Sequence, residues 1–168
     1  MKKTILSTLC FLLVSCFMFF ADAGTRIVVL GSSTAAGAGV SDSNRAWVNQ
    51  YRTYLQSIDP TNTVTNLAKG GYTTCAIMPT GTDPYDTGNH ILEVDTERNI
   101  TKALSLSPNA IIINMPTNDV SNGIPVATQM KHFATIIDLA KAAGVKVWIT
   151  TSQPHNFCLL YTSDAADE

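Results

Sequence analysis

The sequence predicts a three-layer α/β domain built on a parallel sheet, and three features carry that prediction. Short apolar runs bounded by turn residues recur along the chain, the pattern of strands buried on both faces. Segments with apolar residues at helical spacing separate those runs. Strand and helix signals alternate throughout, with no internal repeat and no low-complexity linker. Such alternation implies right-handed crossovers and helices on both faces of the sheet.

Lys2 and Lys3, the apolar stretch from Ile5 to Phe20 and the small residues of Ala21-Asp22-Ala23 read as a secretory signal peptide. It spans residues 1–23 and is expected to be cleaved after Ala23, which places the protein outside the cytoplasm, secreted or periplasmic. Leu13-Val14-Ser15-Cys16 has the lipobox form, so a lipoprotein anchored through Cys16 is the competing expectation. Against it, Phe17 to Phe20 carry the apolar run past the cysteine, and no second apolar span follows to hold the mature chain in a membrane.

The domain proper is expected over residues 24–157. Arg26 to Leu30 is the first strand and runs into a small-residue turn, Gly31 to Gly37. Ser43 is placed to cap a helix on which Trp47, Tyr51, Leu55 and Ile58 share a face, and Asp59-Pro60 ends it. Thr63 to Leu67 is the second strand. The stretch from Pro79 to His90, rich in Gly, Pro, Asp and Thr, reads as an exposed loop, and Thr96 to Leu106 as a helix that stops before Pro108. Ala110 to Asn114 is the clearest strand of all. Val126, Met130, Phe133, Ile137 and Ala140 line one face of the following helix, closed by Gly144, and Val145 to Thr151 is the fourth strand.

Residues 158–168, Cys158 to Glu168, resemble a translated transposase adapter of the kind used in sequencing libraries. Native sequence is therefore expected to stop near Phe157. Setting aside Lys2 and Lys3 from the 11 basic residues leaves 9, and setting aside Asp22, Asp164, Asp167 and Glu168 from the 13 acidic ones also leaves 9. A balance of zero gives no electrostatic case for nucleic acid or for an anionic membrane. Of the four cysteines only Cys75 lies in the domain, so neither an intrachain disulfide nor a thiolate zinc site is expected.

Three strand ends should meet at one edge of the sheet, where open α/β sheets place their chemistry: Ser33 after the first, Gly71 after the second and Asn118 after the third. Ser33 is a candidate nucleophile in a turn small enough for close approach. A glycine offers an unobstructed backbone N–H, an asparagine offers a neutral NH₂, and the N–H of Ser33 makes a third donor. Together these would form an oxyanion hole, in which each donor contributes about 3 to 4 kcal/mol to the transition state.

At these residues the chain resembles the SGNH hydrolases, or GDSL-type esterases and lipases. Gly31-Ser32-Ser33-Thr34-Ala35-Ala36-Gly37 is similar to the family's Gly-Asp-Ser-x-x-x-Gly block, Asn66-Leu-Ala-Lys-Gly-Gly-Tyr-Thr73 to its glycine block, and Pro116-Thr117-Asn118-Asp119 to its Gly-x-Asn-Asp block. Gly71 stands in better register than Gly70, and both stay open as the donor. The resemblance implies a flavodoxin-like parallel sheet and a secreted serine esterase with Ser33 as nucleophile, working without cofactor or metal. Its substrate would be a small-molecule or polysaccharide ester, acetyl groups above all. Ser32 and Pro116 depart from the family's Asp and Gly, which is expected to alter loop geometry only. The Asp-x-x-His block that would supply base and acid does not occur. A fold lacking its C-terminal strand and helix is therefore expected, inactive as it stands and with Val145 to Thr151 as an aggregation-prone sheet edge.

Other readings compete. A non-catalytic carbohydrate-binding or interaction module on the same scaffold is the alternative function. A phosphate loop is disfavoured, since no Gly-Lys-Ser/Thr follows and Gly37-x-Gly39 has no third glycine. Ser33 and Asn118-Asp119 could be turn residues only. His155 is the tempting substitute base but is expected to line the cleft or face water, and His132, off its helix's apolar face, is expected in solvent. His90 with Asp83, Asp86 and Glu93 fits no ligand spacing. Asn99-Ile-Thr101 is a glycosylation sequon. Oligomeric state and host are not legible.

Overall fold

The computed structural model describes residues 24–115 and 117–151. Four parallel strands form one sheet: β1 (Arg26–Gly31), β2 (Thr63–Asn66), then, further along the chain, Ala110–Asn114 and Lys146–Ile149. Between β2 and the third sheet strand comes a small antiparallel hairpin, β3 (Tyr85–Asp86) with β4 (Ile91–Leu92), so the last two sheet strands are β5 (Ala110–Asn114) and β6 (Lys146–Ile149). The order across the sheet is β2-β1-β5-β6, with Val28 opposite Ile111 and Gly31 opposite Asn114. The helices are α1 (Ser33–Ala36), α2 (Trp47–Ile58), α3 (Ile100–Ser105), α4 (Asn118–Ser121) and α5 (Val126–Ala142).

Strand alternation sorts the core into two layers, because successive side chains point to opposite faces. Ile27 and Val29 pack with Ala35, Val48 and Val64 beneath α2. Val28 and Leu30 pack with Ile111 and Ile113 beneath α3 and α5, where Ile100, Ala103, Ile136 and Ala140 are fully buried. The three-layer α/β expectation is thus met, with helices on both faces.

Several element boundaries differ from the sequence reading, each for a local reason. Ser43 does not cap α2; residues Ser43–Arg45 make a 3₁₀ turn capped by Asp42, whose carboxylate accepts the Asn44 N–H at 2.9 Å. Helix α3 starts at Ile100 rather than Thr96, because Asp95 holds the Glu97 N–H in a turn and Asn99 takes the cap position. The Pro79 to His90 loop is partly ordered as the β3–β4 hairpin. On α5, Val126 and Met130 are exposed and the buried stripe runs instead through Phe133, Ile136 and Ala140. The fourth strand is shorter than Val145 to Thr151 at both ends.

Candidate active site

Close backbone approach builds the serine turn. A Cβ on Gly31 would lie 2.7 Å from the Ala35 Cβ and 2.8 Å from the Asn114 carbonyl oxygen, so only glycine lets β1, β5 and α1 meet there. The Ser32 N–H donates to that same Asn114 carbonyl at 3.1 Å. Ser33 follows as the first residue of α1, half-buried. Asn66, at the end of β2, ties the turn to the next loop: its Nδ2 donates to the Ala35 carbonyl at 2.7 Å and its Oδ1 accepts the Ala68 N–H at 3.0 Å.

That next loop carries the glycine pair. Gly71 has φ +80° and is exposed, whereas Gly70 does not take a left-handed backbone. No atom of the described residues lies within 4 Å of a Cβ built on Gly71, so conformation and not space demands glycine here. Tyr72 anchors the loop. Its phenol donates to the Asp95 carboxylate, and the Lys69 ammonium stands 5.6 Å from the ring centroid. The Tyr72 bond holds the Asp95 carboxyl below its usual range, while burial and then the same bond push the Tyr72 phenol up.

Asn118 opens α4, buried, with its Nδ2 donating to Ser32 Oγ at 2.7 Å and to the Tyr72 carbonyl at 3.0 Å. An amide NH₂ carries two protons, so these contacts occupy both. One reaches the residue before Ser33 and the other the residue after Gly71. The structure therefore brings Ser33, Gly71 and Asn118 to one place, each within a residue of a direct contact. Ser32 gains more than loop geometry by this: its fully buried hydroxyl is the acceptor that orients Asn118. Nothing local in the sequence signals that, since the partner lies 86 residues away.

Behind Asn118 and the glycine loop sits a second polar group. The buried Asp119 carboxylate accepts the Thr74 N–H at 3.0 Å and 3.2 Å and also the Thr74 hydroxyl. The same Thr74 Oγ1 is 2.7 Å from His132 Nδ1. This corrects the expectation that His132 faces solvent: it is half-buried, with the Tyr85 ring edge-on at 6.1 Å. Burial draws the imidazole below its ordinary value of 6.5, against the opposing pull of the Asp119 charge. A position off the apolar stripe of α5 points to water, but Tyr85 of the hairpin and Thr74 beyond the glycine loop cover that side.

Cys75 is buried and its thiol is pushed up by that burial, leaving it a poor nucleophile. Asp83, Asp86, His90 and Glu93 are exposed, and among the described residues no three His, Cys, Asp or Glu side chains gather as a metal cluster. Asn99 is fully buried, donating to Thr80 Oγ1 at 2.8 Å, so its sequon is closed in the folded chain. Also among the described residues, no helix is long and apolar enough to cross a membrane. The signal segment 1–23 with Cys16, the departure at Pro116, His155 and the 158–168 tail lie outside the described residues.

A parallel sheet with a serine turn, a glycine loop and an asparagine at adjoining strand ends defines the class as a three-layer α/β protein with a polar cluster at the carboxyl edge of its sheet. The chain belongs to the GDSL-like lipase/acylhydrolase family, whose model matches residues 29–167, a span that takes in the adapter-like segment. Curated proteins give no match. Among solved structures the fold is similar to TesA, at 20% identity and TM-score 0.59, over 83% of this chain and 67% of that one. It is likewise similar to AlinE4, an SGNH-hydrolase family esterase, at 18% identity and TM-score 0.57, over 78% and 61%. A two-domain esterase (CEX) active on acetylated mannans matches at 18% identity and TM-score 0.53, over 75% of this chain and 30% of that one. The chain thus spans about two thirds or less of these proteins.

Proposed function

We propose that this chain belongs to a secreted serine ester hydrolase in which Ser33 attacks an acyl carbonyl. The Ser33 N–H, the Gly71 N–H and the Asn118 amide receive the oxyanion that forms. The observation that carries the reading is the Asn118 amide, which links the serine turn to the glycine loop through Ser32 Oγ and the Tyr72 carbonyl. On attack, one Asn118 N–H turns from the Ser32 hydroxyl to the oxyanion, since a charged acceptor binds more strongly than a neutral one. An imidazole takes the serine proton and passes it to the leaving alcohol, and water then releases the acyl-enzyme. The Asp-x-x-His block that would hold that imidazole does not occur in this sequence.

Family membership favours this hydrolase over a non-catalytic binding module. Acetyl esters on polysaccharides are the proposed substrates, by likeness to the esterase active on acetylated mannans. The test uses p-nitrophenyl acetate and an acetylated mannan. The 168-residue chain is expected to show no Ser33-dependent turnover. A gene read beyond the codon for Phe157 is expected to encode Asp-x-x-His, and its product to hydrolyse both. Ser33→Ala abolishes that activity, and Asn118→Ala lowers kcat by about 10²- to 10³-fold. A complete reading frame without the block, or an active Ser33→Ala variant, defeats the proposal.

A further inference from the structure

Hydrogen bonding behind the donors dictates where protons must sit. An ionised carboxylate only accepts, so the Thr74 hydroxyl gives its single proton to Asp119. The lone pairs of Thr74 Oγ1 then face His132 Nδ1 at 2.7 Å, and that nitrogen has to be the one bearing hydrogen. Asp119 is the chain neighbour of Asn118, and Thr74 lies three residues beyond Gly71. The two elements that present the donors are therefore joined twice. Asn118 reaches the Tyr72 carbonyl, and Asp119 reaches the Thr74 N–H and hydroxyl.

We propose that His132 is a positioning residue for the oxyanion hole. Locked as the Nδ1–H tautomer, it orients the Thr74 hydroxyl onto Asp119 and so sets the glycine loop against the turn that holds Asn118. This rests on the reading of Gly71 and Asn118 as oxyanion donors. The titratable groups facing the imidazole are Asp119, across Thr74, and Tyr85 of β3, edge-on. In both protonation states Nδ1 donates to Thr74, and only Nε2 changes. Protonation therefore leaves the relay connected while adding charge beside it, and the donors should register the titration without losing their arrangement.

The experiment is ¹⁵N NMR of the full 168-residue chain, which needs no turnover. At neutral pH the His132 signals are expected to show a protonated Nδ1 and a bare Nε2, the reverse of the tautomer that free imidazole side chains prefer. Through a pH titration, the Gly71 N–H and Asn118 side-chain NH₂ shifts follow the His132 midpoint. Thr74→Val moves the neutral imidazole toward Nε2–H and uncouples both donor signals, and Thr74→Ser restores both behaviours. An Nε2–H tautomer in the unaltered chain overturns the proposal, as do donor shifts that ignore the His132 titration. So does a Thr74→Ser variant that behaves like Thr74→Val. A failed esterase reading looks different: the tautomer and coupled shifts persist, while Ser33→Ala leaves hydrolysis by the extended enzyme unchanged.

Discussion

On one face of the sheet Leu30, Ile111 and Ile113 are sealed under α3 and α5; on the other, Ile112 is only half-buried and Trp148, opposite it on β6, is 51% exposed. The second face also holds a cavity of about 470 Å³ lined by Thr34, Trp47, Tyr51, Ile112, Asn114 and Thr150. The Gly71 loop with Asn118 and the Ser33 turn divide along the same line. Tyr72, next to Gly71, and Met115, three residues before Asn118, belong to the closed core, whereas Ala35 of the serine turn packs into the core under α2. The glycine loop and Asn118 are thus built on the better-packed half, and the serine turn is held across the boundary by Gly31 and Asn66.

The largest test of this contrast is a matched pair of truncations on β5. Ile113→Ala is expected to lower unfolding free energy by about 3 to 4 kcal/mol, because a sealed core cannot collapse onto the void. Its neighbour Ile112→Ala should cost about 1 kcal/mol, since that side chain already meets solvent. Equal shifts in denaturation midpoint for the two would erase the distinction between the faces. Asp119→Ala, on the closed side, should cost about 3 kcal/mol by leaving the Thr74 N–H and hydroxyl buried without an acceptor.

Smaller effects sharpen the comparison. His132 has its folded value drawn below 6.5, so its contribution to stability is full above that value and is lost as pH falls through the lowered one. His132→Gln should therefore flatten the fall in melting temperature as pH drops below the ordinary 6.5. An unchanged slope would put the imidazole in water after all. Least of all should Asn114→Val matter. It forfeits the 2.8 Å bond to Thr150 but also removes the Asn114 Oδ1, a buried oxygen with no hydrogen-bond partner among the described residues, so the net change should stay within about 1 kcal/mol. A larger loss would mean the open face relies on that amide.

The sheet was legible because residues such as Ala110 to Asn114 are apolar on both faces, which only a doubly covered strand tolerates. The meeting of the Ser33 turn, the Gly71 loop and Asn118 was legible because the carboxyl ends of parallel strands share one edge. Ser32 and His132 were not. Each owes its place to a polar partner on another element, 86 residues away for Ser32 and 58 for His132, and helical or strand periodicity says nothing about which polar groups will meet across elements. The start of α3 was misplaced for a related reason. Asp95 is engaged by Tyr72 and by the Glu97 N–H, and that keeps residues before Asn99 out of the helix.

Both tryptophans of the chain, Trp47 and Trp148, belong to the open side of the sheet. Trp148 also borders a groove with Ile137 and Lys141 of α5, so indole emission reports on the open face and on the β6 edge. Anything that settles over those surfaces should shift the fluorescence to the blue with no label added. The protein thus carries a built-in optical gauge of how completely its less-covered surface is clothed.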